Sequence, residues 1–343
     1  MASPIILLAG LFFGASSEGV DQLPKATSLS DSSIRYVVPE KPYVVLRRGP
    51  IEAVIVNNQA VDDPVLPGHR AGYSGVARLV HTKRQANLFV PAYAGLNFEH
   101  IIDGTAHEDR KVLFEPRNWP MELRQIGPHT VELYQSPTPT YGVESCQRFD
   151  LLEDGALQLT IELTAHKKAF RFGYMGVFWA SYIHQPEDLG IYFLGWPARL
   201  VQEGGGKRTA AGAEWIHALS PSHGVLATHP SWEDRRDFPR QEPFPLTLVF
   251  HLSEYRYAEP WYFGVSHGMA LALVFRKQDQ VRFTQSPSGG GKGNPAWDFQ
   301  FLIPQVQLKK RYQFVMRAVY VPYESAQQVR TAVQPHLDAL NPP

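Results

Sequence analysis

One cysteine, Cys146, stands in a chain of 343 residues, so neither an intrachain disulfide nor a cysteine-based zinc site can form. Its neighbours Val143-Glu144-Ser145 and Gln147-Arg148-Phe149 read as a strand, where a lone cysteine is a small buried side chain with no catalytic role. Net charge is lacking too, because 33 basic and 33 acidic side chains cancel. Such a chain has no global field to draw in nucleic acid or anionic lipid, and neither is expected as a partner. Also missing are an Asn-X-Ser/Thr acceptor and a His-Glu-x-x-His zinc helix. Their absence removes N-glycosylation and the commonest metalloprotease reading. The two glycine-lysine stretches fail as phosphate loops. Before Lys292 the first glycine position holds Ser286 and the Ser/Thr position holds Gly293; before Lys207 the first position holds Val201. No nucleotide, cofactor or metal is expected. No internal repeat argues for a propeller or solenoid.

What the chain does have is strand-forming sequence. With 44% hydrophobic and 12% aromatic residues it can bury a large core. The run Ile5 to Phe13 followed by Gly14-Ala15-Ser16-Ser17 is too short to span a bilayer. It reads as a signal peptide over residues 1–17, although only Met1 to Pro4 precede it, and a secreted or periplasmic protein is expected. Residues 18–33 read as a flexible leader and 34–343 as a single β-sandwich domain.

Tyr43 to Leu46 and Ile51 to Val56 flank a turn. Val76 to His81, Met121 to Gln125, Thr130 to Tyr134, Gln147 to Leu152 and Ala156 to Leu163 alternate apolar and polar side chains. Arg171 to Ile183, Gly190 to Leu194, Leu246 to Leu252, Trp261 to Phe275, Val281 to Thr284 and Phe299 to Val321 extend the series. Only Glu324 to Leu340 has a helical period, with Pro335 expected to bend or interrupt it. The expected architecture is all-β, one large antiparallel sandwich of two curved sheets with a short C-terminal helix.

Chemistry-bearing residues gather where strands meet loops. Gly289 to Asp298 reads as a flexible loop presenting an aromatic face, Trp297, beside a carboxylate, Asp298, as a sugar site requires. Asn97, Glu99 and His100 follow Leu88-Phe89-Val90. In extended backbone Glu99 and His100 face opposite sides, so they meet one substrate atom only where the strand bulges. His184, with Glu187 and Asp188, sits at the end of a β-forming run that Pro186 terminates, a position suited to a general acid. Trp232 among Glu233, Asp234, Arg235 and Arg236 offers a stacking indole and a guanidinium clamp. His267 is a weaker candidate of the same kind. Each group is equally compatible with a satisfied histidine or a solvated turn.

The order of these features resembles the galactose mutarotase-like, or aldose 1-epimerase-like, superfamily of β-supersandwich proteins. The resemblance covers Tyr43 to Tyr323. It is carried by the hairpin Val45 to Val56, by Ser74-Gly75-Val76-Ala77-Arg78-Leu79 before the early His/Glu segment, and by Tyr141-Gly142-Val143-Glu144 leading into Phe149 to Leu157. The central Trp179 to His184 and the late carboxylate complete it. The resemblance implies a saccharide, mono-, oligo- or polymeric, bound on a concave sheet. It implies His100 as the early binding histidine, His184 as the acid, Asp298 as the base and Arg78 as a hydroxyl contact. The chain departs from the family in Tyr182-Ile183-His184-Gln185, where an Asn-His pair is usual, and in Asp298, where Glu is usual. Three classes of function stay open: an enzyme acting at an anomeric or other sugar centre, a polysaccharide lyase or glycoside hydrolase, and a glycan-binding protein without catalysis.

Overall fold

The computed structural model describes residues 26–203, 212–220, 227–231, 238–244, 246 and 251–342. Turn chemistry and alternation set the strands largely where expected. Gly49, at φ 54°, turns Tyr43–Arg48 (β1) back into Ile51–Val56 (β2), and Gly75–His81 (β3) pairs on β2 to complete a three-stranded antiparallel sheet.

The other described strands form one 15-stranded sheet. In chain order they are Asn97–Ile102 (β4), Glu122–Gly127 (β5), Thr130–Gln135 (β6), Val143–Leu151 (β7), Leu157–Ala165 (β8), Met175–Ala180 (β9), Ile191–Pro197 (β10), Glu214–Ala218 (β11) and Ala227–Pro230 (β12). There follow Leu252–Tyr257 (β13), Trp261–Ser266 (β14), Met269–Phe275 (β15), Arg282–Ser286 (β16), Ala296–Ile303 (β17) and Arg311–Pro322 (β18). The strand order is β4-β9-β17-β16-β12-β13-β10-β14-β15-β18-β8-β7-β6-β5, with β11 on β10, and pairing is antiparallel except between β12 and β13. A single apolar cluster takes Phe98, Trp179, Phe299 and Phe283 from one end of this order and Leu159, Ile161, Phe149, Leu133 and Leu123 from the other. The two ends therefore face each other across one core, and the expected sandwich is made by one long sheet closing on itself.

Short helices Arg110–Leu113 (α1), Glu115–Asn118 (α2) and Ala198–Glu203 (α3) were not expected. The terminal helix was, and Ala326–Leu340 (α4) starts at Ser325, whose hydroxyl accepts the Gln328 N–H at 3.1 Å. Pro335 lies inside α4 without ending it. Val329, Val333, Leu337 and Leu340 pack on Ala270, Ala272, Val315 and Val319 of β15 and β18.

Three expectations need correction. Trp297 and Asp298 are not on a loop: the turn ends before Ala296, and both lie in β17, where neighbours point to opposite faces. Trp297 is fully buried in the core, its Nε1–H donates to the Leu189 carbonyl, and a Cβ on Gly264 would stand 2.4 Å from its ring. It is packing and not a stacking platform. From Ala26 onward the leader is held on the sheet, since the Thr27 hydroxyl donates to Glu162 at 2.6 Å and the Ser28 N–H donates to Glu132 at 3.1 Å. Most of the expected strand Leu246 to Leu252 lies outside the described residues. No helix among the described residues is long and apolar enough to cross a membrane.

Candidate functional site

The outer face of β4, β9, β17 and β16 carries side chains that the core excludes. Register places them in three rows. Arg282 pairs with Gln300, Gln300 with Phe178 and Phe178 with His100. One step on, Thr284 pairs with Asp298, which the Phe299–Trp179 register sets opposite Ala180, and Ala180 pairs with Asn97. A third row holds Ser286, Ala296 and Tyr182. The small side chains of Ala180 and Ala296 flank Asp298 and pack with Val90, Phe178 and Tyr182.

A bulge in β4 brings the first group of ionisable side chains together. The register shifts between Phe98 and His100, so Glu99 is the extra residue and both it and His100 reach the outer face, while Phe98 stacks on Trp179 in the core. His100 Nε2 lies 3.6 Å from Glu99 Oε1, and its Nδ1–H donates to the Leu113 carbonyl at 2.9 Å. That bond orients the ring, with Nε2 on the Glu99 side. Arg117 of α2 donates to Glu99 Oε1 at 3.2 Å and stacks on Tyr73 at 4.0 Å. The Tyr182 hydroxyl donates to Glu99 Oε2 at 2.6 Å.

Asp298 is the second group. Strand pairing lapses beside it, and its Oδ1 accepts the Ser181 N–H at 3.0 Å. At 3% exposure, burial pushes its carboxyl well above the usual carboxylate range. The Ser181 N–H works against that shift, and the nearby Glu99 carboxyl adds to it. Burial, and then Glu99, likewise raise the Tyr182 phenol well above its ordinary value. Asp298 is therefore a buried carboxyl, raised by burial, on the same face as Glu99, which Arg117 and Tyr182 engage.

Asn97 and Thr284 each leave a buried polar atom on this face without a partner among the described residues. Asn97 Oδ1 accepts the Ser74 N–H at 3.0 Å, which turns Nδ2 the other way, buried and unpaired. Thr284 Oγ1, buried beside Asp298, is unpaired too. Each such atom costs about 1–3 kcal/mol when left without a partner, a cost that a bound hydroxyl recovers.

Of the residues named from sequence, the structure brings together Asn97, Glu99, His100 and Asp298. It leaves out others. His184 lies four residues beyond Ala180, on the order of 13 Å along an extended chain, and is tied to Leu88 by its backbone N–H at 2.9 Å. No bond or ion pair among the described residues joins it to Asp298 or Glu99. Arg78 belongs to the three-stranded sheet and pairs with Glu52 at 3.4 Å across β2 and β3. Glu187 accepts the Gly268 N–H at 3.2 Å in the turn between β14 and β15, away from Asp298. Trp232 and Arg235 lie outside the described residues.

Tyr182, Arg117, Thr284, Arg282 and Gln300 were missed as site residues. A usable signal lay in Arg282-Phe283-Thr284 and Phe299-Gln300-Phe301, where polar residues alternate inside strands of a chain with a large core. Arg117 had no such signal, because only the chain's path carries α2 to the bulge.

No protein-family model and no curated protein matches the chain. Among solved structures, a candidate aldose 1-epimerase of Escherichia coli K12 is similar over 82% of this chain and 99% of its own, at 9% identity and a TM-score of 0.46. A heparan sulfate lyase of Pedobacter heparinus is similar over 84% of this chain and 38% of its own, at 9% identity and a TM-score of 0.38. A candidate aldose 1-epimerase of Klebsiella pneumoniae is similar over 84% and 81%, at 10% identity and a TM-score of 0.29.

Proposed function

We propose that the protein is a carbohydrate-active acid/base enzyme of aldose 1-epimerase type, binding its saccharide over Ala180 on the face of β4, β9, β17 and β16. The observation that carries this reading is the placing of two buried carboxyls, Asp298 and the engaged Glu99, on one face that also holds an oriented imidazole. The roles differ from those the resemblance implied. Asp298, held protonated, is the acid; His100 Nε2 is the base.

In the forward step His100 takes the proton of the anomeric hydroxyl while Asp298 gives its proton to the ring oxygen. The bond from anomeric carbon to ring oxygen breaks, its electron pair stays on oxygen, and an open-chain aldehyde forms. Rotation about the adjacent carbon bond and reversal of both transfers close the other anomer and restore both groups. Glu99 stabilises the imidazolium that forms, and the Tyr182 hydroxyl and Arg117 hold Glu99 in place. Asn97 Nδ2 and Thr284 Oγ1 orient hydroxyls on either side.

The apolar run near the N-terminus supports a further part of the reading, that the protein works in the periplasm or outside the cell. The test is a panel of mono-, oligo- and polysaccharides followed by anomeric exchange NMR and by release of reducing ends. Accelerated exchange without new reducing ends supports the proposal. New reducing or unsaturated ends make the protein a hydrolase or lyase, and binding without turnover makes it a glycan-binding protein.

A further inference from the structure

A second site lies at one end of the sandwich, away from Asp298, where the turn after β3 meets the β14–β15 hairpin and the end of β18. Lys83, Arg84, Gln85, His267, Met269 and Glu324 are among the residues lining a cavity of about 650 Å³ there. The hairpin turn is built to place His267. His267 and Gly268, at φ 53° and 74°, fill the two left-handed positions between Ser266 and Met269, and their N–H groups donate to Glu187.

Arg84 is the decisive residue. Its backbone pairs with His81, at 3.1 and 2.8 Å, while its half-buried guanidinium has no hydrogen bond or ion pair among the described residues. Arg47, Arg48, Arg117, Arg148, Arg276 and Arg330 are differently placed, each with a carboxyl partner. Behind the cavity stands Tyr320. Met269 pairs with Pro322, both on the cavity wall, and Leu271 pairs with Tyr320, so Tyr320 is the next position inward on that face. Its hydroxyl is buried and has no partner among the described residues, with the ring 5% exposed. Burial raises its phenol to about 12 and Arg84 acts in the opposite direction, which places the two groups within each other's field.

An unpaired guanidinium on the cavity wall and an unpaired hydroxyl buried one register pair behind that wall are two donors without an acceptor, and Lys83 adds a third on the rim. Guanidinium and hydroxyl donors together match an oxyanion, whose oxygens accept several hydrogen bonds at once. We propose that this cavity is an anion site, taking a small ligand that presents a phosphate or carboxylate group to Arg84, Tyr320 and Lys83. Glu324 opposes the ligand's charge and weakens the site.

The full-length protein is titrated with inorganic phosphate and, separately, with acetate, against sodium chloride at matched ionic strength, following thermal stability and amide shifts. Phosphate or acetate is expected to raise the melting temperature and shift the amides of residues 83–86 and 267–269, beyond any chloride effect. Whichever anion acts identifies the preferred oxyanion. Arg84→Gln is expected to weaken binding about tenfold or more, the loss of one charge-assisted hydrogen bond. Tyr320→Phe, which keeps the ring and the core, is expected to weaken it less, and Glu324→Gln to tighten it. Responses to both anions that equal chloride's, or an Arg84→Gln protein that binds as the unaltered chain does, overturn the site.

Discussion

Two outer faces of the long sheet carry buried charge, and they use it differently. On β18, β8, β7, β6 and β5 the buried carboxyls are matched by the chain itself. Glu162 accepts Thr27 and Gln313, Asp150 accepts Thr130 and Arg148, and Glu132 accepts the Ser28 N–H and hydroxyl. Arg148 also donates to the Ala26 carbonyl at 3.1 Å, which helps to close the N-terminal segment over this face. On β4, β9, β17 and β16 burial raises the Asp298 carboxyl, and Asn97 Nδ2 and Thr284 Oγ1 have no partner among the described residues. Matched carboxyls hold the first face together, and the proposed function assigns the ligand to the second.

Substitutions that exchange these behaviours break the comparison. The largest effect is expected from Asp298→Asn, which removes the acid and lowers turnover about 10³-fold or more, measured by anomeric exchange NMR. Its stability moves the other way. A carboxyl raised in the folded state gives stability that is complete below the ordinary pKa and lost as pH rises through the raised value, so Asp298→Asn melts higher than the parent near neutral pH and no higher at pH 4. Next comes Arg148→Ala on the matched face, which leaves Glu132 and Asp150 buried without their cation. It costs about 3 kcal/mol in denaturant titration and leaves saccharide turnover per folded molecule unchanged.

Tyr182→Phe follows, removing a donor to Glu99 while keeping the ring. Turnover falls about tenfold. In the parent the basic limb reports Asp298, since activity is lost as pH rises and deprotonates it. The smallest effect belongs to Ser28→Ala, about 1 kcal/mol of stability with no change in turnover, read from melting curves.

Much of the fold was legible because alternation and turn residues act locally. Gly49, the Asp154-Gly155 turn between β7 and β8, and the helical period of α4 each announce their element within a few residues. Pro335 was misread because the packing of Val333 and Leu337 on β15 and β18 outweighs one lost helical hydrogen bond. Asn97, Glu99, His100 and Asp298 were legible as chemistry, but their meeting depends on register. Two cross-strand pairings and one bulge decide that His100 joins Glu99 and that His184 falls outside. Trp297 was misplaced for a related reason. One residue's difference in where the strand begins turns a side chain from the surface into the core.

The central claim is that Asp298 is held protonated on an open polar face and gives its proton to a sugar. The most direct test is a ¹³C NMR titration of the Asp298 carboxyl carbon between pH 3 and pH 9, assigned by its loss in Asp298→Asn. The account expects no ionisation near the ordinary aspartate value of about 4 and a signal that stays in the acid form well above it, perturbed when saccharide is added. A carboxyl that titrates near 4 and is indifferent to saccharide contradicts it.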